Sequence, residues 1–359
     1  MNERSHGLVV VVGMHRSGSS ALTRGMGALG LDLGDNLMEP APDNETGFWE
    51  DLDLFGINVE LMERMGVSWD TLRPMPIDTL PGETLSRLTA RAAQLLRAKL
   101  ERGRGSFAMK DPRTARLLPF WHGVFEHLGV QPKWMLTCRN PVSVMRSLQR
   151  RNGFGEGKGY LLWLVHVLDA LQGTRTGLRV VVDYDQMMDD PLRQLHRAAE
   201  GLRLPSPREA DLSAYAGTFL QPRLRHTRFS ADDLTQAVSV PPHVGPVFAS
   251  LSALARDEVL PPGHLEQVLA AARNWHDENV SLLRAIDDAE QAISRQAQAL
   301  ERVVAENVAA HRRAEKLQGA LNERNEQIAG LDARLGEAGL GLGGGDDVSC
   351  KRQDVTSPQ

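Results

Sequence analysis

Through the first half of the chain, short continuously apolar runs alternate with longer stretches whose apolar positions recur at helical spacing. The runs Gly7–Val12, Ser106–Met109, Lys133–Cys138 and Arg179–Asp183 are β-rich and lack an alternating polar face, as expected of strands covered on both sides. Helices are predicted over Ser19–Leu29, Arg87–Leu100, Arg113–Leu128, Val142–Arg151 and Gly159–Leu171, with one more over Leu192–Leu202 after Asp190-Pro191. This order predicts an α/β domain of three layers around a central parallel sheet, joined by right-handed crossovers. The stretch from Pro205 to Pro262, rich in Pro, His and Arg, reads as irregular.

The pattern changes towards the C-terminus. Ile286, Ile293, Leu300, Asn307, Ala314, Leu321, Ile328 and Leu335 recur every seven residues. A second seven-spaced row, Ala289, Gln296, Val303, Ala310, Leu317, Arg324 and Leu331, interleaves with it. Alternating steps of three and four predict a long helix that forms a coiled coil, with Asn307 as a buried polar residue able to fix register. A solvated helix, lying alone or packed on the first domain, is the plainer alternative, since the many Ala positions make a weak seam. Three segments are therefore expected: a domain over residues 1–260, a helical coiled-coil extension over 261–336 and a Gly-rich, polar, disordered tail over 337–359.

Composition narrows the function. The 359 residues carry 41 Lys and Arg against 46 Asp and Glu, a net charge of −5, and 42% are hydrophobic. That is ample for a core and argues against a chain built to coat nucleic acid, while leaving room for a local basic pocket. Cys138 and Cys350 make neither a disulfide framework nor a metal site. The run Leu8–Val12 is too short for a signal peptide or a membrane span, and no later stretch is long and apolar enough. A cytoplasmic protein with no membrane span is expected.

The chemistry concentrates at the ends of the strands. Gly13-Met14-His15-Arg16-Ser17-Gly18-Ser19-Ser20 follows the first strand and opens the first helix. Backbone N–H groups and the positive end of a helix make such a loop an anion site. Its spacing fits the nucleotide-binding P-loop, G-x-x-x-x-G-K-[ST], except that Ser19 stands where that motif has Lys. A nucleotide-dependent kinase needs that Lys and a magnesium ligand; here the available cation is Arg16.

Arg16-Ser17-Gly18-Ser19-Ser20 resembles the 5′-phosphosulfate loop of sulfotransferases that use 3′-phosphoadenosine 5′-phosphosulfate (PAPS), in particular the bacterial carbohydrate and tyrosine-type branch. The likeness covers roughly residues 7–230 and implies a P-loop-type fold with PAPS as donor. In that family an Arg at a later strand end, and a Ser eight residues on, hold the donor's 3′-phosphate; Arg139 and Ser147 have that spacing. Lys110-Asp111-Pro112-Arg113 is similar to the family's Lys-Asp-Pro block, which implies that Lys110 reaches the transferred sulfuryl group, with Asp111 and Arg113 orienting it or lining the acceptor cleft. By this resemblance the donor-binding residues are Gly13, Arg16, Ser17, Gly18, Ser19, Ser20, Arg139 and Ser147.

Sulfuryl transfer also needs a base for the acceptor hydroxyl. Pro112 occupies the region where cytosolic members carry a catalytic His, so this chain departs from their pattern. Asn44-Glu45-Thr46-Gly47-Phe48-Trp49-Glu50 resembles the Asn-x-x-Gly-aromatic-x-Glu element of bacterial members, which points to Glu50, with Glu39 and Asp111 as the other carboxylates. Phe48 and Trp49 read either as an acceptor wall or as core. His15, inside the loop, reads either as a contact for the sulfate, which places it with Arg16 and Lys110 among the catalytic residues, or as a solvent-facing side chain. Val182-Asp183-Tyr184-Asp185 reads as structural, and Arg223-Leu224-Arg225-His226 as a basic segment over the donor or a solvated loop. The expected activity is sulfuryl transfer from PAPS, without a metal, to a hydroxyl acceptor such as a glycan. The extension is expected to make a homo-oligomer or to dock a partner protein. The alternatives are a P-loop kinase and a non-catalytic coiled-coil scaffold.

Overall fold

The computed structural model describes residues 7–42, 44–220, 229, 231–237 and 239–339. The chain runs β1 (Gly7–Val12), α1 (Ser19–Ala28), α2 (Leu52–Met65), α3 (Gly82–Arg102), β2 (Ser106–Lys110), α4 (Leu118–Leu128), β3 (Lys133–Cys138), α5 (Pro141–Asn152), α6 (Glu156–Gly173) and β4 (Arg179–Asp183). Then follow α7 (Tyr184–Asp189), α8 (Pro191–Gly201), α9 (Glu209–Ala214), α10 (Ala231–Gln236), α11 (Val244–Ala255), α12 (His264–Glu278) and α13 (Val280–Glu337). The four strands pair in parallel in the order β2-β1-β3-β4. Among the described residues no helix is long and apolar enough to cross a membrane.

The all-apolar strands are explained by burial on both faces. Leu8, Val10 and Val12 enter a core with α2, α3, α4, α6 and α11, while Val9 and Val11 enter another with α1, α8 and α9. Period-two alternation thus separates two helical layers rather than core from solvent, giving the expected three-layer α/β architecture. The first crossover leaves β1 for β2, and the next returns past β1 to β3. The connections therefore diverge above β1 and β3, the switch point where open α/β sheets form a crevice at the carboxyl ends of their strands.

Three elements differ from the pattern-based expectation. The helix α2 was not anticipated; Asp51 caps it by accepting from the N–H groups of Asp53 and Leu54, and Gly66 ends it in the left-handed conformation at φ 63°. The expected helix over Arg113–Leu128 is split into a 3₁₀ turn, Pro112–Arg116, and α4, with Pro119 in the first turn of the latter, where the missing N–H costs nothing. The stretch expected to be irregular contains α11, whose Val244, Val247, Phe248 and Leu251 are buried. A short helix that is apolar on most sides shows no amphipathic period, so the pattern conceals it.

The compact unit comprises residues up to Asp287, and α12 with the first turns of α13 belongs to it. Leu269, Ala272, His276, Leu283 and Asp287 are buried there. The Asp287 carboxylate accepts hydrogen bonds from the N–H groups of Leu72 (2.9 Å) and Arg73 (3.1 Å), and a ring nitrogen of His276 lies 3.0 Å from the Leu72 carbonyl. Buried Arg116 donates to the carbonyls of Thr71 and Arg73, both at 2.7 Å, and pairs with Asp169 at 2.6 Å. These contacts fix the loop after α2, which carries Trp69. The second unit begins at Asp288, and from Ile293 onward every described residue of α13 is exposed, including Leu300, Leu317, Leu321, Ile328 and Leu331.

A chain ending at Asp287 is expected to melt close to the full-length protein. One ending at Pro262 loses four buried side chains and the carboxylate that satisfies two N–H groups, a deficit of several kcal/mol. Its melting temperature should fall by on the order of 10 °C, taking about 2–4 °C per kcal/mol for a large domain. Equal melting of the two truncations would refute this packing.

Candidate active site

The loop of residues 13–18 leaves the central strand and turns sharply into α1. Gly13 lies so close to the Thr137 side chain on β3 that a Cβ would collide with it. The Ser17 hydroxyl donates to the Met14 carbonyl at 2.6 Å and also meets the Thr137 hydroxyl. Arg16 (φ 66°) and Gly18 (φ 90°) both adopt the left-handed conformation, the alternation that gathers successive N–H groups into an anion-binding concavity. At Arg16 this conformation carries a strain that Gly18 avoids. Among the described residues no side chain caps α1, and no acidic residue occupies its first turn, so its positive end is not neutralised from within the helix.

The end of β3 meets this loop. Arg139 donates to the Arg16 carbonyl at 3.0 Å, and Arg16 Nε donates to the Ser147 hydroxyl on α5 at 2.9 Å. The Arg139 guanidinium stacks 4.5 Å from the Tyr184 ring centroid, and the same ring closes against Gly18. Burial, chiefly, holds Arg139 below the ordinary arginine range, with the like charge of Arg16 adding to the effect. Two guanidinium groups and a hydroxyl are therefore gathered at the loop, although Arg16 lies more than a hundred residues from Arg139 and Ser147 in the chain.

From β2, the Lys110 ammonium pairs with Glu50 at 2.8 Å, donates to the Phe48 carbonyl at 2.6 Å and reaches the Ser20 hydroxyl at 3.3 Å. Asn44 bridges the Gly47 carbonyl (2.8 Å) and Ser20 (3.2 Å), pinning the segment that carries Glu50 onto the start of α1. Trp49 sits there at φ 57°. Arg113 lies 3.7 Å from the second Glu50 oxygen, 3.0 Å from Asp111 and 4.6 Å from the Phe55 centroid. Glu50 is 4% exposed. Burial pushes its carboxyl above the ordinary glutamate value, and the cations Lys110 and Arg113 offset that only in part.

These groups open onto one cavity of about 660 Å³, lined by His15, Arg16, Gly18, Ser19, Ser20, Glu50, Lys110, Arg139 and Ser147 among others. The expected site residues Gly13 and Ser17 support the loop from behind, while the rest line the space. Of the three carboxylates considered as a base, only Glu50 faces the cavity. Glu39 is exposed and absent from its lining, and Asp111 is occupied as the cap of the 3₁₀ turn and by Asn58 at 2.9 Å. Phe48 lines the cavity; Trp49 instead packs against Phe219 and beneath Arg24. The His15 imidazole packs tilted against Trp69, with ring centroids 4.3 Å apart. Burial, together with Arg113, His166, Arg151 and Lys110, holds it well below the ordinary histidine value, so it is neutral at pH 7.

Trp69, Phe55, Arg150 and Arg151 also line the cavity and carry no motif that would have singled them out. Tyr184, read from the sequence as structural, belongs to the lining as well. The segment Arg223–His226 lies outside the described residues.

The chain shows a weak similarity to solved structures. One solved structure, the sulfotransferase domain from the Synechococcus PCC 7002 olefin synthase, is similar at 17% identity and a TM-score of 0.39, over 77% of this chain and 96% of that one. A second, the sulfotransferase domain from the curacin biosynthetic pathway, is similar at 16% identity and a TM-score of 0.39, over 74% and 96%. No family model and no curated protein matches the chain.

Replacing Gly18 by Ala tests the loop geometry. The left-handed backbone and the contact with Tyr184 leave no room for the methyl group, so Gly18→Ala is expected to cost about 1–3 kcal/mol of stability. Denaturant unfolding would measure this, and an unchanged midpoint would show that the loop is not held as described.

Proposed function

We propose that this protein transfers a sulfuryl group from PAPS to a hydroxyl acceptor. The observation that carries the reading is the convergence of the loop, Arg16, Arg139 and Ser147 with Lys110 and Glu50 on a single cavity. The strained loop and the uncapped end of α1 suit the 5′-phosphosulfate, and Arg139 with Ser147 suits the 3′-phosphate, since a guanidinium forks onto phosphate oxygens. The donor supplies a sulfuryl group activated as a mixed anhydride with phosphate. Ser19 leaves the loop without the lysine of a nucleoside-triphosphate site, which disfavours the kinase reading.

Each residue then has a task. Glu50 takes the acceptor's hydroxyl proton as that oxygen bonds to sulfur. The sulfur–oxygen bond to the 5′-phosphate breaks, and adenosine 3′,5′-bisphosphate leaves. Lys110 and Arg16 stabilise charge on the sulfuryl and leaving oxygens, a preorganised electrostatic role. Lys110 joins the two halves of the reaction, because the ammonium that pairs with the base also touches Ser20 at the loop. His15, neutral and beside Arg16, serves as a contact for the sulfuryl group or the acceptor oxygen. Glycan hydroxyls are the proposed acceptors.

Adenosine 3′,5′-bisphosphate without magnesium is expected to raise the melting temperature, by mass action, well beyond the effect of ATP with magnesium. Arg139→Ala and Ser147→Ala should each reduce that shift. The Glu50→Gln variant should keep it but lose about 10²–10⁴ in turnover of labelled donor. A base works only when deprotonated, and burial raises the Glu50 carboxyl. The acid limb of the wild-type pH–rate profile should therefore lie above the ordinary glutamate value and vanish in Glu50→Gln. A larger shift with magnesium ATP would favour the kinase reading; full turnover in Glu50→Gln would remove Glu50 as the base.

The seven-spaced apolar rows of α13, exposed in the single chain, support association of this helix with a second copy. Parallel, in-register pairing would place the two Asn307 side chains opposite each other. Light scattering should then report a dimer for the full chain and a monomer for the chain ending at Asp287. A monomeric full chain would leave the helix to a partner protein.

A further inference from the structure

We infer that His166 is a positioning residue: through one buried water shared by the two Nε2 atoms it holds His15 in the Nε2–H tautomer, so that His15 presents a bare Nδ1 to the cavity. The inference rests on the sulfuryl-transfer reading and assigns His15 within it to a hydrogen-bond donor of the acceptor, not to a sulfuryl oxygen. His166 stands on α6, is fully buried, and has no part in the reaction proposed above. Nε2 of His15 and Nε2 of His166 are both buried, and neither has a hydrogen-bond partner among the described residues. A buried polar atom left unpaired is costly, and an ordered water is the common remedy where two such atoms lie close together.

The two rings meet edge-on, with centroids 6.1 Å apart and planes at 83°. That separation suits one water bonded at about 2.9 Å to a nitrogen of each ring. His166 Nδ1 lies 2.8 Å from the Leu162 carbonyl. A carbonyl only accepts, so Nδ1 carries the proton, and Nε2 of the neutral ring is a lone pair. Burial first, and then the nearby Arg116 guanidinium, keep His166 neutral. The water donates one hydrogen to that lone pair and accepts with its oxygen from Nε2–H of His15. Hydrogen bonding alone would also let the water donate to both rings, but the surrounding charge selects the first arrangement. His15 lines the cavity while its Nε2 is buried, so Nδ1 is the nitrogen open to the cavity. Lys110, Arg113 and Arg151 share that lining, and cations favour a lone pair over an N–H on the nitrogen that faces them. A bare nitrogen repels sulfuryl oxygens and accepts from a hydroxyl. Since Glu50 takes the proton of the reacting hydroxyl, His15 suits a second O–H or N–H beside it, such as the neighbouring hydroxyl of a sugar. Trp69, packed against His15, sits on the loop clamped by Arg116 and Asp287, which restrains the imidazole.

The test reads the tautomer of His15 by nitrogen NMR of the full chain labelled with nitrogen-15 histidine, the His15 signals being those lost in His15→Gln. The wild type is expected to show a protonated Nε2 and a bare Nδ1. His166→Leu, which removes the lone pair, should leave His15 as a mixture of tautomers, and His166→Gln, whose amide oxygen accepts in its place, should restore the single form. A high-resolution crystal structure should show one water within hydrogen-bond reach of both Nε2 atoms. Adding adenosine 3′,5′-bisphosphate with inorganic sulfate should leave the tautomer unchanged. A wild-type His15 protonated at Nδ1, a tautomer that His166→Leu does not move, or no water between the rings overturns the inference. So does a switch to Nδ1–H on adding bisphosphate and sulfate, since His15 would then belong to the sulfuryl group. The wild-type signals need no variant to fold and no ligand to bind. A protein that binds no bisphosphate defeats the donor reading itself, a failure read separately from the tautomer.

Discussion

Everything at this site depends on the bridge between the loop after β1 and the end of β3. The Thr137 side chain supports Gly13 and Ser17 from β3, two residues before Arg139, and Arg139 in turn holds the carbonyl of Arg16. Without that junction, Arg16 would have no reason to adopt a left-handed backbone or to reach Ser147. The junction also carries a cost. It brings two guanidinium groups together and buries one of them, a like-charge arrangement that water would otherwise dissipate. In the proposed function the donor's anionic groups offset that cost.

A second constraint concerns carboxylates. The fold gives three acidic side chains, Glu50, Asp51 and Asp111, unlike environments. Asp51 caps α2, Asp111 caps the 3₁₀ turn, and only Glu50 faces the cavity. A carboxylate used as a cap has its oxygens engaged by N–H groups and makes a poor base. Glu50 has no backbone to cap. It is buried against a lysine, which keeps it ordered while burial raises its proton affinity. The side chain proposed as the base is therefore distinguished from those that hold the frame by local structure, not by residue type.

Much of this was legible in the sequence for physical reasons. Strands buried on both faces must be apolar throughout, so β1, β3 and β4 matched their apolar runs and β2 ran one residue further, to Lys110. The loop glycines reflect backbone geometry that few other residues could satisfy, whereas the Arg139–Ser147 pair is legible only through the family resemblance. The helix α2 was hidden because its caps, Asp51 and Gly66, resemble ordinary loop residues, and α11 because it is apolar on most sides. Trp69, Phe55 and Arg151 could not have been assigned, since Trp69 reaches His15 and Arg151, and Phe55 reaches Arg113, across long separations in sequence. For the same reason the compact unit extends past residue 260: a buried carboxylate and a buried histidine leave no periodic trace.

The most direct measurement of the central claim is a crystal structure of the protein grown with adenosine 3′,5′-bisphosphate and no divalent cation. The 5′-phosphate is expected against the N–H groups of residues 16–20 and the 3′-phosphate on Arg139 and Ser147, both within the one cavity. Density showing either phosphate elsewhere, or Arg139 turned onto a carboxylate while the nucleotide binds at another place, would contradict it.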